Sequence, residues 1–169
     1  MDRRRKRLRQ AAPIAAAVLV LALLADMNGY YGHRVPGGAA EAFRTRLLET
    51  VGQGEQVRLS ELTEFDWDRM AVIPPYMNWE QMEAAAGAEW TNARTYPGYV
   101  LLRMLPDTCT MCDEGMHRLV FAKGSRVTAD VPLSRMDLDF TGLSGIARTE
   151  EPIVGTRHAG SPLVVAIRP

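Results

Sequence analysis

The spacing of apolar residues changes several times along this chain, and each change predicts an element. Residues 11–25 run without a charge, the pattern of a helix that has no polar face. Residues 28–38, NGYYGHRVPGG, are Gly-rich, hold one Pro and show no period, which predicts a linker. From 39 to 51 the period becomes helical. Ala40, Phe43, Leu47, Leu48 and Val51 fall on one stripe, while Arg44, Arg46 and Glu49 face away. Gly52 is placed to end that helix. Val57 and Leu59 then alternate as in a short strand, and Ser60 is placed to cap one helical turn over 61–65.

Residues 70–73 read as a strand that stops at Pro74-Pro75, where backbone donors are missing. Asn78 and Gln81 are spaced as a capping box for a helix carrying Trp79, Met82 and Ala86, closed by Gly87. Beyond Trp90 the pattern turns to strands: 99–105, 117–122 and 126–133, the last two joined by a turn at 123–125. Residues 138–143 add a further strand pattern, 149–162 have no regular pattern, and 163–167 (LVVAI) close the chain as a strand. Helices followed by strands with short connections predict an α+β domain over 39–169, with two helices packed on an antiparallel sheet of four to five strands.

Charge changes how the first stretch is read. Residues 1–10 carry six Arg or Lys against one Asp, which leaves fourteen basic and nineteen acidic residues for the rest of the chain. A mildly acidic body lacks the basic surface that phosphate neutralisation requires, so no nucleic-acid partner is expected. The basic head and the apolar run together make residues 1–27 a signal anchor or signal peptide, with the lipid bilayer as the partner of 11–27. As a helix the uncharged run is about 22 Å long, short of the ~30 Å hydrocarbon core, which suits a cleaved signal. The absence of a small-x-small cleavage site and the presence of Tyr30 and Tyr31 at the exit suit an anchor. The anchor reading puts the N-terminus in the cytoplasm and the body outside; the alternative is secretion after cleavage. No cysteine lies near residues 20–30, which excludes a lipid-modified one.

Phe65-Asp66-Trp67-Asp68, a short apolar run, Pro75-Tyr76 and a capped helix ending at Gly87 resemble a group of small bacterial secreted proteins and lipoproteins with an F-[DE]-W-D segment. Leu119-Val120-Phe121 and the Gly124 turn fit the same group. The match covers about 25 residues, with a looser continuation to about residue 140. The resemblance implies bacterial export and supplies no catalytic residue. The order of helices and hairpins is also loosely similar to envelope-assembly and inhibitor domains of the BamE-like type, a likeness of architecture alone.

Candidate chemistry is sparse. Cys109 and Cys112 are two residues apart, and outside the cytoplasm a local disulfide is the expected state. A redox-active pair is the alternative, but Asp107, Asp113 and Glu114 would raise a neighbouring thiol's pKa and so disfavour the thiolate. A metal site would need Cys109, Cys112 and His117 plus a fourth ligand, whereas zinc sites commonly use two spaced pairs, so no metal and no cofactor are expected. His117 reads as a half-exposed strand residue.

Asp66 and Asp68 share one face of an extended segment, the arrangement of an acid–base pair. The simpler expectation is that Trp67 is buried and its acidic neighbours border it. With Tyr76, these residues form a structural hub or a ligand-binding edge. Trp79 and Trp90 join them either as core or as lining of a groove. The chain has no serine-nucleophile motif, phosphate loop or HExxH. The sequence therefore points to a non-enzymatic binding or accessory domain with an envelope protein as its partner; the alternative is a thiol-redox accessory protein.

Overall fold

The computed structural model describes residues 2–35, 37–52, 56–104, 113–140, 146–148, 152–157 and 163–167. It begins with one long helix, α1 (Asp2–His33), followed by α2 (Gly37–Gly52). Next come β1 (Gln56–Arg58), α3 (Leu59–Leu62), β2 (Arg69–Ile73), α4 (Trp79–Ala86) and α5 (Tyr96–Met104). The remaining described elements are β3 (Met116–Lys123), β4 (Arg126–Ser134), β5 (Leu138–Asp139), β6 (Ile146–Arg148), β7 (Pro152–Arg157) and β8 (Leu163–Ile167). The chain is thus mixed helix and sheet behind an apolar N-terminal helix.

The central sheet has the order β4-β3-β2-β6, and its pairings are all antiparallel. Alternation along β3 sends residues to opposite faces. Leu119 and Phe121 join Met70, Ala129, Val131 and Leu133 in the cluster that also holds Phe43, Leu47 and Val51 of α2. Val120 joins Ala71, Ile73 and Val127 against Met82 and Ala86 of α4 and the following Trp90. The two amphipathic helices therefore cover opposite faces of one sheet. Of the residues predicted from helical spacing, Phe43, Leu47 and Val51 are each at most 1% exposed and Ala40 is buried, while Leu48 is only partly buried. A second sheet, β1-β7-β8-β5, includes one parallel pair, β5 with β8.

Four stretches differ from the sequence reading. The helical turn expected over 61–65 with Ser60 as its cap is α3 (Leu59–Leu62), which takes in Leu59 and follows Arg58 with no side-chain cap bond. Residues 28–33, expected to lie in the linker, continue α1 as helix. Each glycine there costs the helix about 1 kcal/mol, and burial of Tyr30 (2% exposed) against Ala93 and Tyr99 offsets it. Residues 99–105 were expected to be a strand, but Tyr96–Met104 is a helix. Thr95 starts it: its hydroxyl accepts from Gly98 N–H at 3.3 Å and its carbonyl from Tyr99 N–H at 3.0 Å. A short apolar run looks the same in a strand and in a helix, so periodicity alone did not separate them. Residues 152–157, expected to be irregular, form β7 because β1 and β8 supply its pairing partners. The described strands also divide into two sheets where one of four to five strands was expected.

Candidate functional site

The segment 65–68 is built into the β3–β4 hairpin. Trp67 is 7% exposed and packs edge-on to Phe121 at 5.0 Å, while its indole N–H donates to the Thr63 hydroxyl at 3.0 Å. Its two neighbours hold consecutive residues of the hairpin turn. The Lys123 ammonium lies 2.5 Å from the Asp66 carboxylate, and Gly124 N–H donates to Asp68 at 2.8 Å. The Lys123 hydrogen bond and charge hold the Asp66 carboxyl below its ordinary range. Gly124 adopts φ 58°, where a side chain is strained, so the turn suits glycine and Asp68 fixes its amide. Both carboxylates are thus committed to an ammonium or an amide.

Tyr76 stands apart from Trp67. It is 57% exposed at φ 68°, and its hydroxyl donates to Glu114, a bond that leads the causes raising the phenol's pKa. Trp79 and Trp90 lie on the α4 face with their ring centroids 5.0 Å apart. The Trp79 indole donates to Glu83 at 2.8 Å, whose carboxyl burial pushes up. The four aromatics expected to line one groove are therefore divided between the two faces of the sheet and an exposed turn.

His117 was expected to be half-exposed, and it is fully buried, 0% exposed, beside Phe140. Position 117 falls on the α2 face of β3, in register with Leu133, which is also 0% exposed. Neither ring nitrogen has a hydrogen-bond partner among the described residues. Desolvation pushes the imidazole down to about 4, with the charge of Asp139 opposing that shift and Arg135 reinforcing it. Cys109 and Cys112 lie outside the described residues. Among the described residues no group of three His, Cys, Asp or Glu side chains is placed to hold a metal.

The site that sequence reasoning missed lies on the opposite face of β3. Arg118 and Asp130 are diagonal neighbours across the β3–β4 ladder, and the guanidinium Nη1 lies 2.7 Å from Oδ2. Both are largely buried, with side chains 15% and 4% exposed. The Trp90 indole N–H donates to the same Oδ2 at 3.1 Å. Arg118 Nε and Asp130 Oδ1 are enclosed and have no partner among the described residues.

This pair helps line a cleft of about 520 Å³. Arg34 and Glu41 stand on the side where α1 passes into α2, and Asn92 and Arg94 on the side that follows Trp90. Backbone hydrogen bonds join the two sides: Val35 N–H donates to Thr91 at 3.1 Å, and Thr91 N–H donates to His33 at 2.9 Å. No signal of it stood in the sequence, since the alternation of Val127, Ala129 and Val131 as a half-buried strand puts Asp130 on the outward face.

Taking two charges out of water costs several kcal/mol each, and their attraction recovers that only with good geometry and full hydrogen bonding. A buried pair that leaves one donor and one acceptor unmatched is therefore weak support for stability. In the wall of a cleft that charged side chains share with Val35, Ala40 and Pro132, it marks a binding-site candidate. Comparison with protein-family models, curated proteins and solved structures found no match for the chain.

The N-terminal helix supplies the second functional feature. Its stretch Pro13–His33 has a mean hydropathy of 1.6, apolar enough for a membrane span or a signal peptide. Every residue from 13 to 25 is exposed on all sides of the helix, and burial begins only at Asp26. The Asp26 carboxylate takes a hydrogen bond from the Tyr96 hydroxyl at 2.7 Å and an ion pair from Arg103 at 3.1 Å. The bond to Asp26 is the largest cause raising the Tyr96 phenol's pKa.

Proposed function

We propose that this chain is a bacterial envelope domain held at the membrane by α1, with the N-terminus cytoplasmic and the body outside, and that it binds a protein partner in the Arg118–Asp130 cleft. The observation that carries the binding role is the buried, incompletely matched ion pair in the wall of that cleft. Charged side chains of both signs stand there: Arg34, Arg94 and Arg118 against Glu41 and Asp130. Such a mixture suits a polar, zwitterionic partner surface better than a lipid tail or an apolar small molecule. The membrane role is supported by residues 13–25, a helix apolar all round and uncovered all round, which lipid suits and water does not.

Kinship with the small exported domains bearing F-[DE]-W-D rests on 65–68 and 75–76, and in this chain that segment braces a hairpin. A local Cys109–Cys112 disulfide fits the same compartment.

Crosslinking from intact membranes tests the binding role. A photoreactive residue at Asn92 is expected to give a discrete adduct that weakens at least about tenfold with Arg94→Glu, by loss of charge complementarity. Adducts that persist unchanged in Arg94→Glu would overturn the cleft as the binding site. N-terminal sequencing of the mature chain reads the membrane role separately, because a chain beginning after residue 25 rules out the anchor.

A further inference from the structure

We infer that α5 is a second, non-spanning membrane contact, lying in the lipid interface beside α1 with Leu101, Leu102 and Met104 toward the acyl boundary. The inference rests on the membrane reading of α1. One stripe of α5, Tyr96, Tyr99 and Val100, packs against Tyr30, and Arg103 on the same side reaches Asp26. Tyr30 meets both Tyr96 and Tyr99, and Asp26 takes the Tyr96 hydroxyl as well as Arg103. Arg103, in the last turn of α5, thus lies beside Asp26, the residue that follows the uncovered apolar run ending at Ala25.

At that end the outward residues are apolar and exposed: Leu101 57%, Leu102 40% and Met104 72%. A solitary exposed leucine means nothing, but two leucines and a methionine exposed on one nine-residue helix, whose last turn lies beside the end of an apolar run, ask for an occupant. Arg103 has its charge matched by Asp26, and its guanidinium lies 5.4 Å from the centre of the Tyr99 ring. With its side chain 62% exposed, Arg103 keeps its charge on the polar side of the interface while its apolar neighbours enter it. Of the tyrosines gathered there, Tyr30 and Tyr99 are buried in the body, while Tyr31 is 59% exposed and has the amphipathic character favoured at a headgroup boundary. A short α1 span gains from such a contact, since a lipid-facing collar relieves mismatch with the bilayer.

The test uses the full chain reconstituted into phosphatidylcholine–phosphatidylglycerol vesicles with and without brominated acyl chains. Leu101→Trp and, separately, Met104→Trp each add one indole, and the unsubstituted chain supplies the background. The expected result is that bromine removes most of the added emission in both variants, whatever the protein-to-lipid ratio. Added emission that bromine leaves untouched, in chains that stay with the vesicles through alkaline carbonate, overturns the inference while keeping the anchor. Emission shielded only at high protein density shows a second copy covering the face, and also overturns it. Chains that wash off in carbonate remove the anchor itself.

Discussion

At the scale of single residues, His117 makes the clearest pH-dependent statement. Its imidazole sits at about 4 in the folded chain against an ordinary 6.5, because burial disfavours the charged form. Between those values the unfolded chain binds more protons than the folded one, so stability rises with pH across that window. Acidifying from 6.5 toward 4 is therefore expected to remove at most about 3 kcal/mol through this group. Replacing it by His117→Leu, which also removes two unmatched nitrogens, is expected to flatten that slope in urea melts recorded at each pH; a slope unchanged from wild type refutes the assignment. The Gly124 turn makes a second, purely conformational prediction. No atom lies within 4 Å of the position its Cβ would take, so Gly124→Ala meets only the left-handed φ. That is expected to cost about 1 kcal/mol in the same melts. Neither effect was legible in the sequence. A histidine beside apolar residues fixes neither its burial nor its partners, and a turn glycine does not name the carboxylate that holds its amide.

At the scale of elements, what the sequence revealed depended on whether the signal was local. The α4 cap is local. Asn78 accepts from Gln81 N–H at 2.9 Å while the Gln81 side chain accepts from Asn78 N–H at 3.0 Å, the capping box read from spacing alone. Asn78→Ala is expected to cost about 1 kcal/mol, measurable as a shift in the denaturation midpoint. The helix α5 and the strand β7 were missed for the converse reason. YVLLRML carries no period long enough to choose between helix and strand, and its helical start depends on Thr95. Residues 152–157 become a strand only because β1 and β8 flank them. The ladder carrying Arg118 and Asp130 shows the same limit, since two charges on neighbouring strands become a pair only once register is set. Asp130→Ala is expected to destabilise by about 3 kcal/mol or more, because it strands the Arg118 guanidinium in the interior. In the double variant Arg118→Met, Asp130→Leu most of that loss should return, while the crosslinked adduct should not. A pair kept for stability alone would give the opposite result, a double variant that remains unstable and keeps its adduct.

For the whole molecule, the question is where the exposed apolar part of α1 stops and the folded body begins. By composition the boundary fell at residue 27, with a linker following, because residues 28–38 are Gly-rich and aperiodic. The packing moves it. From Asp26 onward α1 belongs to the body: Tyr30 is 2% exposed, donates to the Ala93 carbonyl at 3.1 Å, and stacks among Tyr96 and Tyr99. Residues 34 and 35 continue the attachment through the backbone bonds to 91. A rigid stem fixes the distance and orientation of the Arg118–Asp130 cleft relative to α1, which a flexible linker would leave free. Two soluble fragments separate these pictures. One beginning at residue 26 is expected to unfold at the same urea concentration as a detergent-solubilised full chain, because residues 13–25 are all exposed. One beginning at residue 36 loses Tyr30 and the Thr91 pairing, and is expected to be less stable by about 3 kcal/mol or more, the scale of removing a buried aromatic. It should also lose the hydrogen-exchange protection of α5, whose inward face would be left without its partner. Equal stability and equal α5 protection in the two fragments would show the stem to be a tether after all, and would return the cleft to free rotation about the membrane.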